Sequence, residues 1–220
     1  MSESSNPRDM QAHWNDAFSA KPGRFGSAPS DAAQLAVRAF AAIENPAPQL
    51  LELGAGEGRD TVYFAERGFK VTALDFSQVA LDALKAKVAH LGISERVELK
   101  QHNVRSPLPY PDGSFDACYS HMLYCMDFTF DELVYLSEQV RRVLKHGGIH
   151  VYTVRTTADP DFGVGQHLGE QRYEDEGFIV HFFNRDMIAR LAAGFRILDI
   201  VEFDEGSLPR RLFAVTLERC

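Results

Sequence analysis

Three glycines at alternate positions, Gly54, Gly56 and Gly58, follow the apolar run Gln49-Leu-Leu-Glu-Leu53 and precede a helical pattern that closes at Gly68. Glycine lets a chain leave a buried strand in a sharp turn and brings bare backbone against a ligand where a β-carbon would collide. The N-terminal amides of the following helix point at the same spot. Glu52 stands two residues before the first glycine, and Asp75 ends the next apolar run, 21 positions after Gly54. A carboxylate at that interval is placed to receive the two hydroxyls of a ribose. Asn103, just past a third short strand, can then pair with an adenine edge. The G-x-G-x-x-G fingerprint of dinucleotide enzymes is absent, and no second mononucleotide half follows.

A second group of reactive side chains lies at the end of the fourth strand, in Tyr119-Ser120-His121-Met122-Leu123-Tyr124-Cys125. His121 is the candidate base or positioner, because imidazole changes charge near neutral pH. Tyr119 and Tyr124 read as pocket walls rather than proton donors, and Cys118 as a small core residue. Further on, Arg155 to Phe183 holds Asp159-Pro-Asp161, three glycines through Gly169, and then the apolar stretch Phe178 to Phe183. A connection of that length reads as a mobile lid over the pocket, with His167, Tyr173 and His181 as its polar lining. His167, Glu170 and His181 are too loosely spaced for a metal site, and none is expected. Trp14, Phe18 and Phe25 either close the pocket from the other side or simply pack on the sheet.

These residues need elements to hold them. Met10, Trp14 and Phe18 share one face of a short helix after a frayed tail over residues 1–9. A second helix runs from about Asp31 to Ile43, with Ser30 as its cap. Strands at 49–53, 69–74, 97–100, 115–119 and 149–154 alternate with helices, one capped by Ser77 and another opening with the capping box Thr129 to Glu132. A helix at about 185–193 and strands near 197–203 and 212–217 complete the chain, with a turn at Gly206 to Pro209 implying an antiparallel hairpin. Repeated βα units predict a single α/β domain with a mostly parallel sheet covered on both faces. In such sheets ligands bind beyond the carboxyl ends of the strands, which is where the candidate residues fall.

Composition narrows the class of function. The 220 residues carry a net charge of -8, with 45% apolar and 25% charged side chains. That balance suits an ordinary globular domain and gives no basic surface for nucleic acid. No apolar run approaches the roughly 20 residues that span a bilayer. The polar start predicts a cytoplasmic protein, and three scattered cysteines predict neither a disulfide framework nor a zinc site.

Glu52-x-Gly54-x-Gly56-x-Gly58, Asp75, Asn103-Val104 and Leu144-Lys-His-Gly-Gly148 together resemble the class I S-adenosylmethionine-dependent methyltransferases. Asn103 stands where that family more often has Asp, and His146 where it has Pro. The resemblance implies a Rossmann-like, seven-stranded, mostly parallel sheet with an antiparallel last strand, and S-adenosylmethionine as cofactor. It implies a cofactor-binding set of Glu52, Gly54, Gly56, Asp75, Phe76, Asn103, Val104 and Tyr119. The wording Gly56-Glu57-Gly58-Arg59-Asp60 and Tyr119-Ser120-His121 is similar to tellurite-resistance and thiol methyltransferase-like members. The expected reaction is in-line methyl transfer to a small-molecule acceptor, with His121 in the acceptor site beside Tyr124, His167, Tyr173 and His181. A protein that binds the cofactor without turning it over is the rival reading.

Overall fold

A computed structural model of the chain describes residues 7–206 and 210–220. Strand β1 (Gln49–Leu53) and strand β4 (Phe115–Ser120) are buried along nearly their whole length, so both faces of the sheet must be covered. Helices supply that cover. The chain runs α1 (Pro7–Ala20), α2 (Asp31–Phe40), β1, α3 (Arg59–Glu66), β2 (Lys70–Asp75), α4 (Gln78–His90), β3 (Val97–Gln101) and β4, then α5 (Phe130–Val143) and β5 (Leu144–Thr156). Three short strands follow, β6 (Gln166–Gly169), β7 (Arg172–Asp175) and β8 (Phe178–Phe183), before α6 (Arg185–Leu191), β9 (Phe195–Glu205) and β10 (Arg210–Arg219).

The main sheet has the order β3-β2-β1-β4-β5-β10-β9, with β10 antiparallel to both neighbours and the other pairs parallel. This is the mostly parallel α/β sheet that the sequence pattern predicts, with the antiparallel last strand that the resemblance implies. Strand order reverses between β1 and β4, which opens a crevice at their carboxyl ends. One apolar cluster, including Phe40, Phe64 and Tyr119, fills the face under α2 and α3. The other, including Leu133, Leu136, Val140 and Ile188, fills the face under α5 and α6.

Local chemistry sets the helix starts. Ser30 and Ser77 each accept the amide three residues on, and Thr129 and Glu132 exchange the two bonds of a capping box. Several boundaries differ from expectation: α2 ends at Phe40 rather than Ile43, and β9 and β10 run beyond the expected 197–203 and 212–217 at both ends. Pro7 to Asp9 already belong to α1, while residues 1–6 of the expected tail lie outside the described residues. Strand β5 begins at Leu144 rather than Ile149, because Leu144 turns extended and pairs with Phe115. The expected hairpin between β9 and β10 is present, although 207–209 of its turn lie outside the described residues.

The largest difference concerns Arg155 to Phe183, expected as a mobile loop. It is a three-stranded antiparallel flap, joined to the main sheet where Arg155 and Thr156 pair with Phe182 and Phe183. Two-residue turns close both hairpins, Glu170-Gln171 and Glu176-Gly177, all with positive φ. That is the backbone of a type I′ turn, whose twist matches the flanking strands.

Beneath β4 and β5, His150 is buried in a stack with Tyr152 and Tyr124, its ring centroid 5.2 Å from that of Tyr152. Burial lowers its pKa to about 4. The unfolded chain therefore takes up this proton first, as pH falls below the ordinary histidine range near 6.5. Urea denaturation should show stability unchanged by this group above about pH 7 and a loss of up to roughly 3 kcal/mol on going down to pH 4. His150→Phe should flatten that dependence; an equally steep one would refute this origin.

Candidate active site

The turn after β1 is held from below. Gly54 and Ala55 amides donate to the Leu74 carbonyl at 2.8 and 3.0 Å, and the Gly56 amide donates to Asp75 Oδ2 at 2.8 Å. Gly54, Gly56 and Gly58 all have positive φ. A β-carbon on Gly58 would also lie 2.0 Å from Leu84 Cδ1, so this glycine is fixed by packing of α4 against the turn. Asp75 is 8% exposed and accepts the Ser77 amide through its second oxygen at 2.8 Å. Burial raises the Asp75 pKa, an effect the amides of Ser77, Gly56 and Phe76 oppose. Glu52 is buried and accepts the Thr61 hydroxyl at 2.6 Å; burial, and then the charge of Asp60, raise its pKa well above the usual range.

Above this turn lies a cavity of about 830 Å³, within the range of small-ligand sites, roughly 300–1,000 Å³. Glu52, Gly54, Gly56, Asp75, Phe76, Asn103 and Val104 all line it, as the resemblance implies. Asn103 is held by its own turn, its Oδ1 accepting the Arg105 amide at 3.0 Å. Beside it, His102 Nε2 is buried without a hydrogen-bond partner among the described residues.

His121 also lines the cavity, leaving the end of β4 beside the glycine turn, since Ser120 pairs with Leu53. Its Nδ1 lies 2.9 Å from Thr153 Oγ, which also accepts the Met122 amide, and its Nε2 lies 3.1 Å from Glu205 Oε2. Both ring nitrogens are therefore engaged. Glu205 also faces Arg59 at 3.6 Å. Burial alone would raise its pKa, but His121, Arg59 and the Asp31 amide together hold it below the usual glutamate value. Nothing in the spacing of Glu205 marks it beforehand, since only the β9–β10 hairpin brings it to His121.

Aromatic residues from two elements roof the cavity. Trp14 and Phe18 of α1 line one side, with Phe25 beside them, and Tyr173, Val180 and Phe182 of the flap line the other. The halves touch where Phe178 packs edge-on against His13 and Trp14, with ring centroids 4.7 and 6.3 Å apart. The flap is anchored at its base as well. Glu170 accepts the first amide of α5 at 3.0 Å, Arg172 pairs with buried Asp127 at 3.3 Å, and the His181 amide donates to the Cys125 carbonyl at 2.9 Å.

Four predicted contacts do not reach the cavity. Tyr119 is buried, its hydroxyl drawn to Asp60 Oδ2 at 2.9 Å and 3.1 Å from Ser30 Oγ on the far side of β4. Tyr124 is buried too, stacked on Tyr152. His181 points inward and donates from Nδ1 to the Phe128 carbonyl at 3.0 Å. His167 is exposed on the edge strand of the flap, its ring 4.8 Å from that of its cross-strand partner Tyr173. Tyr173 alone of the flap trio lines the pocket. Cys125 is likewise buried, which pushes its thiol up to about 11. Among the described residues no cluster of three His, Cys, Asp or Glu side chains is placed to hold a metal ion, and no helix is long and apolar enough to cross a membrane.

Residues 50–148 match the family model described as a methyltransferase domain. Over that stretch, a little under half of the chain, it is similar to methyltransferase domains. The matched stretch holds the glycine turn, Asp75, Asn103 and His121 but neither the flap nor Glu205. The malonyl-[acyl-carrier protein] O-methyltransferase of Serratia marcescens is 29% identical over 160 residues, 69% of this chain and 54% of that protein. The release factor glutamine methyltransferase of Rhodopirellula baltica is 38% identical over 92 residues, 41% of this chain and 31% of that protein. The chain thus spans about a third to a half of these curated relatives. Among solved structures, the Burkholderia thailandensis 1,6-didemethyltoxoflavin-N1-methyltransferase superposes with a TM-score of 0.73 at 19% identity, covering 98% of this chain and 91% of that one. At that identity the likeness establishes the shared fold.

The aromatic seam between α1 and the flap can be tested on its own. A ring pair of this kind contributes about 0.5–1.5 kcal/mol, so Phe178→Ala should speed local amide exchange in 172–181 by roughly 3- to 10-fold. Unchanged exchange in that segment would show that the base anchors alone hold the flap.

Proposed function

We propose that this chain transfers the methyl group of S-adenosylmethionine to a small-molecule acceptor held between the glycine turn and the flap. The observation that carries the reading is one cavity lined together by the Gly54–Gly58 turn, Asp75 and His121. The lining fits the cofactor. Positive φ at Gly54 and Gly56 leaves a bare backbone cradle facing the cavity, and the unpartnered His102 Nε2 beside Asn103 awaits a polar group. Asp75 accepts the Gly56 amide on Oδ2 and the Ser77 amide on Oδ1, with the Phe76 amide also turned to it, and the roughly four lone pairs of a carboxylate leave room for a hydroxyl.

Bound there, S-adenosylmethionine supplies an electrophilic methyl on a sulfonium. What the chain must add is placement: a nucleophile aligned with the carbon–sulfur bond reacts without further activation unless it arrives protonated. Glu52, Gly54 and Gly56 would flank the methionine part, Asp75 the ribose, and Phe76, Asn103 and Val104 the adenine. His121 and Tyr173 would meet the acceptor, with the flap excluding water. The relatives named above act on a carrier-bound malonyl group, a glutamine and a toxoflavin precursor. None of these names singles out an acceptor for this chain.

The narrower likeness to tellurite and thiol methyltransferases rests on Gly56-Glu57-Gly58-Arg59-Asp60 and Tyr119-Ser120-His121. Their charged and hydroxyl side chains act as fasteners. Glu57 accepts the Gly23 amide at 2.7 Å, Arg59 donates to the Phe25 carbonyl at 3.1 Å, and Asp60 binds both Ser30 and Tyr119. The wording therefore supports a shared scaffold for the N-terminal cover more than a shared acceptor. Tellurite, selenite and thiols still belong in an acceptor screen, with amines and phenols.

Hydrogen bonds to a charged group contribute about 1.5–3 kcal/mol each. Asp75→Ala should weaken S-adenosylhomocysteine binding at least about tenfold by calorimetry; wild-type affinity in a folded variant would remove the cofactor assignment. In the screen, production of S-adenosylhomocysteine marks an enzyme. Tight binding of S-adenosylmethionine with no turnover on any acceptor class would favour the cofactor sensor.

A further inference from the structure

We propose that Glu205, rather than His121, takes the proton released by the acceptor, and that His121 and Arg59 are its positioning residues. The assignment rests on the methyl-transfer reading above. Both nitrogens of His121 are occupied: Nδ1 faces Thr153, which is wholly buried, and Nε2 faces Glu205. An acceptor in the cavity meets no free lone pair on the imidazole. It does meet Glu205, which lines the same cavity with 17% of its side chain accessible. Oε2 is bound to the ring, and Oε1 is turned to Arg59 Nη2 at 3.6 Å, too long for a hydrogen bond.

The charged groups around Glu205 fix its state. His121 from the β4 loop, Arg59 from the first turn of α3 and the Asp31 amide from the first turn of α2 all favour the carboxylate, and Asp60 lies 3.9 Å from Arg59. Glu205 is thus ionised throughout the physiological range. A weak base suffices here. When the acceptor X–H forms its bond to the methyl carbon, the lone pair of X makes that bond and the carbon–sulfur pair leaves on sulfur. The X–H proton, now strongly acidic, passes to Glu205 Oε1, and the carboxyl returns it to water on product release. No further co-reactant is needed.

The chain of contacts also has a direction. Arg59 belongs to the cofactor turn, donates to the Phe25 carbonyl of the N-terminal cover, and meets Glu205 of the last hairpin. Three segments far apart in sequence thereby aim one carboxylate at one spot.

Two measurements test this. In ligand-free protein carrying labelled glutamate, carbon-13 NMR should show Glu205 titrating below the ordinary glutamate range, and His121→Ala should move it up. A Glu205 titration indifferent to His121→Ala overturns the pairing. In single-turnover transfer at neutral pH, 2-mercaptoethanol arrives protonated and thiophenol arrives ionised. Glu205→Gln should slow 2-mercaptoethanol at least about a hundredfold more than thiophenol, the lower edge of general-base effects, and Glu205→Asp should recover part of the loss. Equal slowing of both thiols, or none, overturns the proton-acceptor role. Failure of wild-type protein to bind S-adenosylmethionine would instead sink the cofactor reading, while the titration still reports on the pair.

Discussion

The structure turns on a buried carboxylate. Asp60, in the first turn of α3, is 4% exposed and accepts the Ser30 amide and hydroxyl at 2.8 Å each, together with the Tyr119 hydroxyl at 2.9 Å. A charge so far from water is tolerable only when its lone pairs are filled and a favourable dipole is near. The N-terminus of α3 supplies the dipole. Three parts of the chain are joined at that point: the cap of α2, the start of α3 and the carboxyl end of β4. The glycine turn immediately before Asp60 has little freedom left. Its amides are fixed on β2, its last glycine is pressed by Leu84, and its helix is pinned by the carboxylate.

Position of the proposed cofactor wall follows from that constraint, and so does that of the proposed acceptor wall. With Asp60 fixed, its neighbour Arg59 projects toward the β9–β10 hairpin and meets Glu205, which holds His121. One face of the α3 first turn thus anchors the sheet while the other sets a charge in the cavity. The flap contributes differently. Its base is tied to the loop after β4 through Arg172–Asp127 and the His181 amide, so acceptor loop and flap move as one piece or not at all. Among the described residues, the aromatic seam at Phe178 joins the flap to α1 over the cavity.

Much of the cofactor wall is legible in the sequence because its constraints are local. Gly54, Gly56 and Gly58 are there for their φ values, Asp75 for its place at the end of β2, and Ser30, Ser77 and Thr129 for caps that each act within three residues. The acceptor wall depends on contacts across the chain, and there the reading loses power. Every residue of β4 is buried, so alternation cannot say whether Tyr119 faces the cavity or the helices; Asp60 decides it. The flap escapes notice because three of its four turn residues, Glu170, Gln171 and Glu176, carry left-handed backbone that such side chains rarely adopt. Its glycines then read as mobility, although Gly165 packs so closely that a β-carbon would lie 2.2 Å from the Glu174 carbonyl oxygen. Glu205 has no local mark at all.

The central claim is that the glycine turn, the end of β2 and the loop after β3 form one nucleoside-binding wall of the cavity that His121 also lines. An NMR titration of amide-labelled protein with S-adenosylhomocysteine tests it most directly. The account predicts saturable shifts at Gly54–Gly58, Asp75–Ser77 and His102–Arg105, with the distant edge residues Ile197 and Leu198 unmoved. Saturation without shifts in these three segments, or shifts centred elsewhere, would contradict it.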